Sequence, residues 1–97
     1  MYIGYHSILQ GIGAKLISIP LDVENDFELD IEQIKQAITS AIRAVMVNTP
    51  GNPAGNVMTR ECLAELAAVT RELGLGLIND EVYSFFFVMK RVTCLCF

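Results

Sequence analysis

Tryptophan is absent from the 97 residues, histidine occurs once and cysteine three times. The cysteines are Cys62, Cys94 and Cys96, an odd number with one Cys-Leu-Cys pair. That usage supplies neither a disulfide framework nor a four-ligand zinc set. Reduced thiols in a cytoplasmic protein are the expectation from it. His6 has no recognisable base or orienting group beside it, so it reads as a helix-surface or packed imidazole rather than a general base. Cations are also scarce: seven Lys and Arg stand against eleven Asp and Glu, for a net charge of −4. They form no basic stripe, which argues against a nucleic-acid partner, because phosphate neutralisation needs clustered cations. Long apolar runs are missing as well. The longest, residues 85–89, is far short of the roughly 20 residues that a membrane-spanning helix requires. Met1-Tyr2-Ile3-Gly4 shows neither the basic nor the apolar region of a secretory signal.

What the sequence does have is apolar surface. Hydrophobic residues make up 53% and charged residues only 19%. A domain this short hides a modest share of its surface. The composition therefore fits either a compact α/β domain with a large core or, preferably, a segment of a larger protein whose strands are covered on both faces.

The elements alternate between helical and strand periods, the pattern of an α/β sheet. Residues 5–12 read as a short helix ended by Gly11 and Gly13. Residues 15–20 read as a strand on Leu16, Ile17 and Ile19, and residues 21–28 as a polar connection. Asp30 is a good N-cap, with Gln33 in box position, for a helix whose stripe is Ile31, Ile34, Ile38 and Ala41. Ala44-Val45-Met46-Val47 suits a central parallel strand. After a Pro/Gly/Asn loop at 49–57, Thr59 caps a helix to about Leu73. Its face is Leu63, Leu66, Ala67, Thr70 and Leu73, and Gly74 is its stop. Residues 75–79 form a second buried strand, and 85–88 offer a weaker one.

The unit from 44 to 80 is strand, loop, helix, strand. A right-handed crossover makes its two strands parallel and opens their C-terminal ends at one sheet edge, where ligands bind in open α/β sheets. Asn52 follows the first strand; Asp80 and Tyr83 follow the second. Taken singly, Asn-Pro and Pro-Gly clusters mark ordinary turns, and Asp80 would be a turn or cap residue.

Together the two segments are specific. Asn48-Thr49-Pro50-Gly51-Asn52-Pro53-Ala54-Gly55 resembles the Asn-x-Pro-x-Asn-Pro-[Thr/Ser/Ala]-Gly loop of class I/II (fold type I) pyridoxal-phosphate-dependent aminotransferases. Asp80-Glu81-Val82-Tyr83 resembles their Asp-Glu-x-Tyr motif. The resemblance implies a partial parallel-type sheet with crossover helices, a segment of the aminotransferase large domain. Residues 1–83 would be a partial cofactor-binding large domain, and residues 84–97 a divergent C-terminal tail. It implies that Asp80 pairs with the pyridinium nitrogen of pyridoxal phosphate, keeping it protonated and the cofactor a good electron sink. Asn52 and Tyr83 would hydrogen-bond the phenolic oxygen, and Tyr2 would put its ring on the cofactor face. The Asn52–Pro53 bond would be open to the cis form. Glu81 reads as a solvated or structural carboxylate.

The sequence departs from the family in one decisive respect. The lysine that carries the cofactor sits in a Ser-x-x-Lys setting, and no such tetrad occurs here. Lys15 and Lys90 lack that context and read as surface lysines. The phosphate-binding glycine turn and the arginines for phosphate and for substrate carboxylate are likewise missing, and Ala54 stands for the commoner Thr or Ser. The expectation is a fragment of an enzyme that moves an amino group between an amino acid and a 2-oxo acid, inactive as 97 residues alone. A related β-lyase or cyclopropane-carboxylate synthase would share the same cradle. The family's homodimer is an expectation for the whole enzyme only. A non-catalytic aminotransferase-like module and a non-functional remnant of a truncated gene are the alternatives.

Overall fold

The computed structural model describes residues 3–86. Their order is α1 (Ile3–Gly11), α2 (Ile31–Ala37), β1 (Ala44–Asn48), α3 (Arg60–Glu72) and β2 (Gly76–Asp80). Short 3-10 turns lie at Val23–Asn25 and Ser84–Phe86.

Two side-chain caps start the helices on either side of β1. Asp30, in extended backbone, accepts from Glu32 N and Gln33 N. Thr59, also extended, accepts from Cys62 N. Each cap satisfies donors that the first helical turn leaves orphaned, a contribution of about 1 kcal/mol. The end of α3 is equally defined. Gly74 takes φ +67°, Leu75 N donates to Thr70 O at 2.8 Å, and Gly74 N donates to Arg71 O at 3.2 Å. Those are the paired bonds of a Schellman stop, and the left-handed position is why a glycine stands there.

β1 and β2 pair in parallel, from Ala44 opposite Gly76 to Asn48 opposite Asp80. The crossover helix α3 therefore brings both strand C-termini to one edge, as the sequence pattern predicts. The core lies on one side of this pair. Ile31 and Ile34 of α2, Val47 of β1, Met58, and Leu66 and Val69 of α3 are buried together. Ile19, Leu21, Leu29, Ile38, Val45 and Leu63 pack around them.

Four expectations need correction. Residues 15–20 form no strand: the sheet of the described residues pairs β1 with β2 alone, and local alternation without a partner makes no ladder. Ile19 still reaches the core. α2 stops at Ala37, with Ile38 as its extended cap. The Thr39 side chain then accepts from Ala41 N, and Ile42 N donates to Thr39 O, so a turn competes with the helix and leaves Ala41 outside it. In α3, Val69 joins the core, whereas Leu73 is the C-cap and 49% exposed. Finally, β2 is not a buried strand among the described residues, since Leu77 is 37% and Ile78 52% exposed. Of the segment 85–88, Phe85 and Phe86 belong to the last 3-10 turn, and the rest lies outside the described residues.

Candidate functional site

The loop after β1 is stitched down from both sides. Thr49 is buried; its N–H donates to Asp80 O at 3.0 Å, and its Oγ1 accepts from Met58 N at 3.0 Å. Gly51 N donates to Asn56 O and Gly55 N to Gly51 O, both at 2.8 Å. The Thr49–Pro50 and Asn52–Pro53 peptides are both cis. A Cβ on Gly51 would lie 2.3 Å from Asn56 Oδ1, so the close turn leaves that position no side chain without rearrangement.

On this scaffold the three motif residues converge. Asn52 Nδ2 donates to Tyr83 Oη at 3.0 Å, joining residues 31 apart in sequence. Asn48, the last residue of β1, holds both sides: its Oδ1 accepts from Asn52 N at 2.8 Å, and its Nδ2 donates to Asp80 O at 3.1 Å. Asp80 closes β2, and its Oδ1 accepts from Val82 N at 3.0 Å, which starts the turn that returns Tyr83 to the loop. Glu81 accepts at the surface from Asn79 Nδ2, at 2.6 Å, a structural contact.

One member of the site was not legible beforehand. Tyr5, on α1, donates from its hydroxyl to Asp80 Oδ2 across 75 residues of sequence. The sequence marks Tyr5 only as a helix residue, and no local signal predicts its partner. His6 is exposed on the same helix, and Lys15 is exposed in the irregular stretch that follows. Tyr2, Lys90, Cys94 and Cys96 lie outside the described residues.

The rim offers donors suited to an anionic oxygen beside a carboxylate able to pair with a basic nitrogen. Asn52 uses one of two amide hydrogens on Tyr83, and the phenol has its own hydrogen to give. From the described residues Asp80 receives one bond on each oxygen, while a carboxylate offers about four accepting positions. The edge thus presents donors beside an acceptor of opposite polarity. A separate cleft of about 610 Å³ is lined by Asp22, Glu28, Asp30, Glu32 and Glu65 among others, and by none of the rim residues. Its acidic wall is the wrong polarity for a phosphate ester.

A parallel β-α-β unit whose strand ends gather an amide, a phenol and a carboxylate places the chain among α/β proteins of the open-sheet kind, in which ligands bind at that edge. The chain belongs to the family "Aminotransferase class I and II", whose model matches residues 1–93. It is 35% identical over 86 residues to aromatic-amino-acid aminotransferase 2 of Thermococcus litoralis, covering 89% of this chain and 22% of that protein. It is 38% identical over 91 residues to the probable kynurenine–oxoglutarate transaminase of Saccharomyces cerevisiae, covering 84% of this chain and 20% of that protein. Among solved structures, the aromatic aminotransferase of Pyrococcus horikoshii OT3 superposes with a TM-score of 0.86 at 32% identity, over 93% of this chain and 24% of that one. The chain thus spans about a fifth of the length of the curated relatives it matches. The family uses pyridoxal phosphate. No described helix is long and apolar enough to cross a membrane.

Proposed function

We propose that Asn52, Asp80 and Tyr83 are the ring-side contacts of a pyridoxal phosphate site. The protein to which they belong transfers an amino group from an amino acid to a 2-oxo acid. The observation that carries this reading is the Asn52–Tyr83 hydrogen bond at the same strand edge as the Asp80 carboxylate. Bound there, the cofactor supplies an electron sink for the carbon being activated. Asp80 holds a proton on the ring nitrogen, since an adjacent carboxylate favours the charged form. Asn52 and Tyr83 give hydrogen bonds to the phenolic oxygen and fix the ring's rotation. Tyr5 restrains the Asp80 carboxylate through its Oδ2. Tyr2 contributes its ring to the cofactor face, on the family pattern. The half-buried free thiol of Cys62 suits a reducing, cytoplasmic setting.

No Ser-x-x-Lys tetrad is present, so a polypeptide of these 97 residues should not turn over substrate, and cofactor binding is the property to test on it. Pyridoxamine phosphate is the probe of choice, because its amine does not condense with surface lysines. Equilibrium dialysis of the full chain should give saturable binding. Asp80→Ala should weaken it ~10- to 100-fold, the scale of one lost charge-assisted bond. Equal affinity in wild type and Asp80→Ala would sink the assignment.

A further inference from the structure

We infer that Asn48 is a positioning residue: its carboxamide clamps the loop carrying Asn52 to the strand end carrying Asp80 and so sets the spacing between them. The inference rests on the reading of those residues as a cofactor site. Both bonds of Asn48 go to main chain, to Asn52 N at 2.8 Å and to Asp80 O at 3.1 Å. The amide orientation follows from its partners, because a backbone N–H must meet Oδ1 and a carbonyl must meet Nδ2. Asn48 is also the cross-strand neighbour of Asp80 in the parallel register.

Backbone pairing ties Asp80 to the loop only as far as Thr49. The ladder's last rung is Thr49 N to Asp80 O, at 3.0 Å. Pro50 follows with no N–H to give, and Pro53 lacks one on the far side of Asn52. The Asn48 side chain shares the Asp80 carbonyl with Thr49 N and carries the tie on to Asn52 N, which no strand carbonyl accepts from. A carboxamide is the group for this: it accepts at one end and donates at the other. An aspartate keeps the bond to Asn52 N but turns a lone pair toward the Asp80 carbonyl, and a leucine of similar shape makes neither bond.

The two arms can be read separately on the full chain. Amide hydrogen exchange at Asn52, followed by NMR, reports the loop arm. Equilibrium dialysis with pyridoxamine phosphate reports the assembled site. Asn48→Leu should accelerate Asn52 exchange about 10-fold and weaken binding about 10-fold, the scale of one or two lost hydrogen bonds. Asn48→Asp should leave Asn52 protected yet still weaken binding, and that split is the signature of a clamp. Thr49→Val unpairs Met58 N from the buried side of the same loop and supplies a comparison of similar instability. It should change Asn52 protection less than Asn48→Leu does at equal loss of melting temperature. Asn52 exchange and ligand affinity that match wild type in Asn48→Leu would overturn the inference. Should that variant not fold, wild-type affinity in Asn48→Asp would overturn it instead. A wild-type chain that binds no pyridoxamine phosphate removes the functional reading, and Asn52 exchange then decides the clamp alone.

Discussion

Gly51 provides a quantitative test of how the site loop is built. In Gly51→Ala the new Cβ would sit 2.3 Å from Asn56 Oδ1 and 3.3 Å from its Cγ, but an ordinary 3.5 Å from Asn48 O. The conflict is therefore with a side-chain tip rather than with backbone. Asn56 is loosely held at its other end, since its Nδ2 reaches Phe27 O only at 3.5 Å. It can swing aside at the cost of that weak bond and a poorer rotamer, together about 1–2 kcal/mol. Gly51 does not occupy the left-handed region, so alanine fits its φ, and restricting the unfolded chain returns about 0.4–1 kcal/mol. The net loss for Gly51→Ala should be about 1 kcal/mol. In an Asn56→Ala background the obstruction is gone, and the same substitution should be neutral or stabilising by about 0.5 kcal/mol. Urea melts of the four chains, read by circular dichroism, close the cycle with a coupling of about 1–2 kcal/mol. An equal cost for Gly51→Ala in both backgrounds would refute the reasoning, because the refusal would then come from the backbone.

Other consequences are open to direct measurement. Leu66 is fully buried in the centre of α3's packed face, so Leu66→Ala should cost about 2–5 kcal/mol in the same melts; a loss under ~1 kcal/mol would place the core elsewhere. The Cys62 thiol is pushed up to about 11 from 9.0, first by burial and then by the neighbouring Glu28 carboxylate. The folded chain thus keeps this proton where the unfolded chain has lost it, so the associated stability is complete below pH ~9 and is lost as pH rises through ~11. Iodoacetamide should label Cys62 in the folded chain slowly at pH 8 and quickly only near pH 11, with peptide mapping to separate it from Cys94 and Cys96; equal labelling of folded and urea-unfolded chain at pH 8 would contradict this. Tyr5→Phe removes the Asp80 Oδ2 contact and should weaken pyridoxamine phosphate binding ~3- to 10-fold, whereas unchanged affinity would leave Tyr5 without influence on the site.

The parts of this structure that sequence discloses are those decided by short-range chemistry. Asp30, Thr59 and Gly74 each answer orphaned groups within a turn of themselves, and each stands where the pattern places it. The convergence of Asn52 with Tyr83 is longer in range but follows from topology, since a parallel crossover admits one arrangement of strand ends. Failures occur where the deciding partner is remote. The alternation at 15–20 is a real strand propensity with no ladder beside it, and Ile19 is drawn to the core without becoming a strand. The stripe assigned to α3 follows 63, 66, 67, 70 and 73, yet Val69 sits three residues past Leu66 on the buried face. Leu73 has left the helix by its cap. Tyr5 shows the limit most clearly: its partner Asp80 closes β2, 75 residues away, and only the assembled sheet edge makes them neighbours. Asn48 marks the boundary between the two cases. Its place in the motif is legible, and its first bond follows once the parallel alignment sets it opposite Asp80. Its second, to Asn52 N, depends on a loop whose course is set by two prolines and a buried threonine. A residue that reads one bond from the sheet and one from the loop is thus half predictable from sequence, and that same half-and-half attachment is what lets it hold the two together.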